Sequence, residues 1–268
     1  MKYLILGGRS YLGKSFSQYL EKSNNEVVTL NELNSNFYST NVLREVINNE
    51  NPQKIVDFKF PLVSSNDDAF KHIDLKNILN TQDRLIESLN QLSENNSDLY
   101  LISTLNINKR KNIYTQYKKK QEDYYKKYLA GKNKLKILRL ENVLGEGDIS
   151  TNRLVPYFFS KVFENKETNL NINSRKKGDY IFIEECNNFI FNSSLDKKYK
   201  KNAFTLTYKN LIYRLSSILE YEFNFYHDVS WNNQKIINKK VDKSDKTNQN
   251  LIKLTNWYIK NKESFKVI

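Results

Sequence analysis

The stretch Leu6-Gly7-Gly8-Arg9-Ser10-Tyr11-Leu12-Gly13 decides the reading of this chain. It follows a short apolar run, Tyr3 to Leu6, and precedes an amphipathic stretch, Gly13 to Glu21, so it joins a strand to a helix. Three of the chain's seven glycines fall within it. A turn that lets a phosphate approach a helix N-terminus needs positive φ and bare backbone, and the helix end adds N–H donors and a favourable dipole. A glycine-rich turn after the first strand of an alternating chain therefore points to a pyrophosphate-binding turn.

The alternation continues outward from that turn. Glu26 to Leu30 reads as a second strand, Val42 to Asn49 as a helix and Lys54 to Phe58 as a strand. Leu75 to Leu92 reads as a long helix, with Leu75, Ile78, Leu79, Leu85, Ile86, Leu89 and Leu92 at helical spacing. Leu99 to Ser103 and Lys136 to Leu140 are two further strands, flanking a Tyr/Lys-rich helix from about Tyr114 to Leu129 that Gly131 is placed to stop. Strands alternating with helices predict an α/β fold, a Rossmann-like doubly wound parallel sheet. We place a dinucleotide-binding domain over 1–150 and a smaller substrate-binding subdomain over 151–268, interleaved with the first. Asn238 to Asn250 reads as the one mobile loop.

Composition narrows the function classes. A chain of 268 residues can bury a core without staples, its single cysteine, Cys186, cannot form an internal disulfide, and His72 and His227 are too few for a usual zinc site, so no metal is expected. Met1-Lys2 leads straight into a strand and no segment has the apolar length of a membrane span, which suggests a cytoplasmic protein with no membrane partner. The net charge of +13 raises the question of a nucleic-acid partner. The lysines are spread along the chain, as in Asn108 to Lys120 and Lys197 to Asn202, which reads as a solvated Lys/Asn surface and not as a nucleic-acid groove.

Tyr114 and Lys118 are spaced i, i+4 and so share one face of their helix, where an ammonium can lower a phenol's pKa from its usual value of about 10. Tyr-xxx-Lys is a weak signal among 18 tyrosines, but here it sits in context. Glu122 follows four residues after the lysine, then Leu138-Arg139-Leu-Glu-Asn142-Val143-Leu-Gly145, and Ser103-Thr104 ends the preceding strand. With the glycine turn, this run resembles the extended short-chain dehydrogenase/reductase family of nucleotide-sugar epimerases, dehydratases and 4-ketoreductases, with Ser10 in place of the middle glycine of the fingerprint.

That resemblance implies a nicotinamide dinucleotide held by Gly7, Arg9, Ser10, Tyr11, Leu12, Gly13, Asn31, Asn41, Val42 and Lys118. Asn31 stands where the family commonly has an aspartate that selects the unphosphorylated cofactor, and Arg9 could pair with a 2′-phosphate, so NADP(H) is favoured, with NAD(H) as the alternative. It further implies a catalytic set of Tyr114, Lys118 and Thr104, and substrate contacts from Asn142, Thr104 and Arg175, the last standing near Gly178, which fills the family's phosphate-holding arginine slot. The interval from Thr104 to Tyr114 is shorter than in most relatives. Leu105 and Asn106 replace the Asp-Glu pair of the 4,6-dehydratases, which argues against dehydration.

The expectation that this resemblance implies is an NADPH-dependent nucleotide-sugar 4-ketoreductase. The alternatives are an NAD-dependent epimerase and a non-catalytic dinucleotide-binding regulator. The expected partners are the nucleotide-sugar substrate and a second copy in a homodimer, although the lysine-rich surface from Lys118 to Lys127 speaks against the family's usual helix contact.

Overall fold

The computed structural model describes residues 1–30, 40–58, 97–108, 113–129, 135–164, 167–170, 175–195 and 201–265. Asn31, the helix expected over Leu75 to Leu92, and Gly131 lie outside them, as do the side chains of Asn41 and Val42.

The described residues form two compact units. The first comprises Met1–Glu141 and Cys186–Lys200, the second Asn142–Glu185 and Lys201–Ile268. In the first, β1 (Lys2–Leu6), β2 (Glu26–Leu30), β3 (Lys54–Asp57), β4 (Asp98–Thr104) and β5 (Leu135–Leu140) form an all-parallel sheet in the order β2-β1-β3-β4-β5. The chain winds outward from β1 in both directions, so the order reverses between β1 and β3, and the carboxyl ends of these two strands border the crevice where such sheets take ligands. Register puts Leu6 opposite both Leu30 and Asp57, bringing the ends of β1, β2 and β3 to one level.

The connecting helices among the described residues are α1 (Tyr11–Lys22), α2 (Thr40–Glu50) and α3 (Ile113–Leu129). The strands read as near-continuous apolar runs because both sheet faces are covered. Leu4, Leu6, Ile55, Leu99 and Leu101 pack with Leu43 and Ile47 of α2 and Tyr125 of α3.

The second unit holds β6 (Asn142–Leu144), α4 (Leu154–Glu164), β7 (Glu167–Leu170) and β8 (Lys177–Phe182). The helix α5 (Ile183–Ser194) starts there and carries the chain back into the first unit at Cys186. In the first unit, Asn187 donates to Ser15 at 2.9 Å, the Tyr19 hydroxyl donates to Asn188 at 2.7 Å, and the hydroxyls of Tyr3 and Ser194 meet at 2.8 Å.

The remainder of the second unit is β9 (Phe204–Thr207), α6 (Tyr208–Phe223), β10 (Asp228–Trp231), β11 (Gln234–Lys235) and α7 (Lys246–Lys260). Its core gathers Phe158, Phe159, Leu215, Leu219, Trp231 and Leu254, with Phe159 stacked on Tyr258 at 4.1 Å between ring centroids. Asn232 and Asn233 turn the β10–β11 hairpin with φ of 49° and 64°, the positive pair a two-residue hairpin loop demands.

One expectation changes here. The loop expected over Asn238 to Asn250 ends earlier, because α7 begins at Lys246. Asp245 caps it by accepting from the Asn248 N–H at 2.9 Å, and Leu251, Leu254 and Tyr258 bury one face, which outweighs the polar composition of the first turn.

Candidate functional site

The glycine turn is built as its sequence suggests. Gly7 has φ of 78°, and its N–H and that of Gly8 bond the Leu30 carbonyl at 3.0 and 3.4 Å, tying the turn to the end of β2. Gly13 packs under the turn so tightly that a Cβ there would lie 2.3 Å from the Gly7 carbonyl oxygen. Ser10, in the place of the middle glycine, has extended backbone at φ −63° and needs no glycine freedom. Its N–H and hydroxyl both donate to the Gly7 carbonyl, at 3.0 and 2.7 Å, and its oxygen accepts from the Gly13 N–H at 3.1 Å. Ser10 thus caps α1 and braces the loop in one stroke. Arg9 stands exposed on the turn, while Tyr11 and Leu12 form the first turn of α1, where helix N–H groups lack intrahelical acceptors.

These features fit a dinucleotide pyrophosphate: bare backbone, a capped helix N-terminus and an exposed arginine at the carboxyl edge of the sheet. Asn41 and Val42 fall in the first turn of α2.

Two positions over from β1 in the sheet, β4 ends in Ser103 and Thr104, both buried. The Thr104 hydroxyl accepts from the Asn106 N–H at 3.2 Å and starts the single-turn helix Leu105–Asn108. Lys118 of α3 is only 4% exposed, and its ammonium donates to the Ile102 carbonyl and to Oε1 of Gln121, each at 3.0 Å. The short interval between Thr104 and Tyr114 therefore still brings α3 onto the end of β4. Tyr114 is half-buried, one turn before Lys118 on the same helix.

Glu122, the next turn along, is 1% exposed and takes two hydrogen bonds from Arg139 of β5, at 2.9 and 2.5 Å. Burial would raise its pKa, but the Arg139 hydrogen bonds and charge, aided by Lys126, more than offset this and hold the carboxyl below its ordinary range. The ion pair locks α3 to β5 beside Ser103.

Two residues of this region escaped the sequence reading. Asp57 is fully buried at the end of β3, level with Leu6, and accepts a hydrogen bond from the Tyr125 hydroxyl of α3. The available signal was an acidic residue closing an apolar strand, Lys54-Ile-Val-Asp57. Gln121, also fully buried, is the other, and its only signal was its place one turn beyond Lys118.

The remaining expected site residues belong to the second unit. Asn142 opens β6 and its amide donates to the Asp179 carbonyl at 2.8 Å. Arg175 and Lys176 are exposed, with the Lys176 ammonium 5.4 Å from the centroid of the Tyr208 ring. Gly178 has the Tyr180 ring folded over it, and a Cβ at 178 would lie 2.6 Å from that ring, so a side chain in that slot would displace Tyr180.

Among the described residues no group of three His, Cys, Asp or Glu side chains could hold a metal ion, and no helix is long and apolar enough to cross a membrane.

No protein-family model and no curated protein matches the sequence. Solved structures match the fold over nearly the whole chain. The NAD complex of dTDP-glucose 4,6-dehydratase from Bacillus anthracis is 16% identical, with a TM-score of 0.71 and coverage of 98% of each chain. A UDP-N-acetylglucosamine 4-epimerase from Methanobrevibacter ruminantium is 15% identical, with a TM-score of 0.73 over 97% of this chain and 98% of its own. A GDP-D-glycero-L-gluco-heptose synthase from Campylobacter jejuni, solved in the presence of NADPH, is 12% identical, with a TM-score of 0.71 over 96% and 98%. The fold is that of the extended short-chain dehydrogenase/reductase enzymes. These neighbours are enzymes that modify nucleotide sugars.

Proposed function

We propose that this chain is a nicotinamide-dependent, nucleotide-sugar-modifying oxidoreductase, and specifically a 4-ketoreductase that uses NADPH. The observation that carries the reading is the reach of Lys118 to the Ile102 carbonyl, two residues before Thr104, on the carboxyl side of the sheet that also bears the glycine turn. The nucleotide-sugar enzymes with matching folds support the substrate class.

Bound NADPH would supply a hydride to the carbonyl carbon of a 4-ketosugar. Gly7, Ser10, Leu12 and Gly13 would cradle its pyrophosphate, with Arg9 placed for a 2′-phosphate and Asn31, Asn41 and Val42 assigned to the adenosine end. Tyr114 donates its phenolic proton to the oxygen that becomes the new hydroxyl. Lys118 lowers the pKa of that phenol and holds the ribose, and Thr104 orients the carbonyl oxygen. The balance is one hydride to carbon and one proton to oxygen, giving the alcohol and the oxidised cofactor. We assign the contacts to the sugar nucleotide to Asn142 and Arg175 of the second unit.

The test is to follow the reduced-nicotinamide absorbance of the purified protein with a panel of nucleotide-linked 4-ketosugars. Stoichiometric oxidation of NADPH, lost in Tyr114→Phe, is expected. Interconversion of sugar epimers with no net cofactor consumption would replace the reductase by an epimerase, and binding of the dinucleotide with no turnover would leave a regulatory protein.

A further inference from the structure

The Lys118 ammonium is gripped from two sides by acceptors of the same kind. One is the backbone carbonyl of Ile102, the other Oε1 of Gln121, each 3.0 Å away, and neither carries a charge. Gln121 is fully buried, and among the described residues its Nε2 has no hydrogen-bond partner. An orphaned buried amide nitrogen is destabilising, and a leucine or methionine of similar volume would avoid that cost. The carboxamide can meet the lysine only through its oxygen, since its NH2 end would set donor against donor.

We propose that Gln121 is a positioning residue for Lys118, a neutral acceptor that fixes the ammonium while leaving its charge undiminished by this contact. The inference rests on the reading of Tyr114 and Lys118 as a proton donor and the cation that acidifies it. A carboxylate in the same place would hold the ammonium more firmly but would oppose its field at the phenol, one helical turn away. Fixing without neutralising is what the pair requires, and glutamine supplies it where glutamate would not.

The charged surroundings are compatible with that role. On the elements packed against this part of α3, the described charged groups are Asp57 of β3, engaged by Tyr125, and Arg139 of β5, engaged by Glu122. The single-turn helix Leu105–Asn108 carries none, Asp98 lies at the opposite end of β4 with Lys54, and Lys136 of β5 donates to the Ser193 carbonyl. On α3 itself, Lys119, Lys120, Asp123, Lys126 and Lys127 are exposed.

Two variants test the proposal in the full chain. Gln121→Glu adds one negative charge at nearly constant shape, and Gln121→Met removes the acceptor without adding charge. Tyr114 is titrated in the absence of substrate by NMR of isotope-labelled tyrosine, with its signal identified from Tyr114→Phe. The pH dependence of kcat/KM for NADPH oxidation is recorded in parallel.

In Gln121→Glu the Tyr114 midpoint rises by about one pH unit, and the alkaline limb of the rate profile rises with it. In Gln121→Met the KM for NADPH rises about tenfold, while the Tyr114 midpoint moves far less than in the glutamate variant. A Tyr114 midpoint unmoved in a folded Gln121→Glu protein overturns the proposal. Should that variant fail to fold, an unchanged KM in Gln121→Met overturns it instead. Full turnover by Tyr114→Phe would remove the proposed role of Tyr114 itself, a result separate from the titration.

Discussion

A Cβ on Gly13 would lie 2.3 Å from the carbonyl oxygen of Gly7, the same oxygen that accepts both the N–H and the hydroxyl of Ser10. The glycine turn and the start of α1 are therefore one interlocked unit, in which the third glycine makes room and the serine does the bracing. Gly13→Ala pushes the helix off the turn. We expect a loss of about 2 kcal/mol in urea unfolding, from overpacking against backbone that cannot yield, and a dinucleotide Kd at least about tenfold weaker by fluorescence titration. Ser10→Gly tests the other half, and its expected cost is only a few tenths of a kcal/mol, with binding kept.

Glu122 gives the first unit an acid-sensitive joint. Its folded pKa lies below the ordinary glutamate value of about 4.3, so its contribution is fully present above that value and is lost as pH falls through the folded pKa. Urea midpoints between pH 6 and 3 should fall more steeply for the wild type than for Glu122→Gln. At neutral pH the variant should be less stable by about 2 kcal/mol, a moderate value because the Arg139 side chain is 39% exposed.

Asp57 and Tyr125 lie 68 residues apart and meet inside the first unit, where the carboxylate has no solvent access. Tyr125→Phe removes one donor and leaves the buried carboxylate under-solvated, with an expected destabilisation of about 2 kcal/mol. Asp57→Asn keeps an acceptor in place and should cost less. The order of the two variants in thermal unfolding checks the assignment, and equal melting temperatures would contradict it.

His227 is a second pH-sensitive point, in the other unit. Burial pulls its pKa below the ordinary imidazole value of about 6.5, with smaller opposing effects from the Phe225 carbonyl and from Glu220 and Asp228. The unfolded chain then binds the proton more readily, so stability is full above that value and falls as pH drops through the folded pKa. The ring sits edge-on to Phe158 at 6.3 Å and tilted to Phe225 at 6.0 Å, and its nitrogens meet the Phe225 carbonyl at 3.0 Å and the Ser216 hydroxyl at 3.2 Å, so His227→Phe keeps the ring packing and gives up those two contacts. That variant should lose the wild type's decline in melting temperature between pH 7 and 5.

The sequence by itself determined the features that rest on short-range order. The glycines, the strand-to-helix switch at Leu6 and the i, i+4 spacing of Tyr114 and Lys118 are local, and backbone sterics and helical periodicity read them directly. Glu122 and Arg139 stand in a run that resembles a known pattern, but only the structure displays the two hydrogen bonds between them. The tertiary structure alone decided which end of the Gln121 amide meets Lys118, that Asp57 would be buried against Tyr125, and that the Tyr180 ring would close over Gly178. It also decided that α5 leaves the second unit and returns the chain to the first at Cys186. Each of these depends on which side chains a parallel sheet brings to the same level, and strands adjacent in that sheet, such as β3 and β4, end as far apart in sequence as Asp57 and Thr104. Local propensity carries no record of such a meeting, because its energy comes from burial and pairing that exist only once the distant segments have packed.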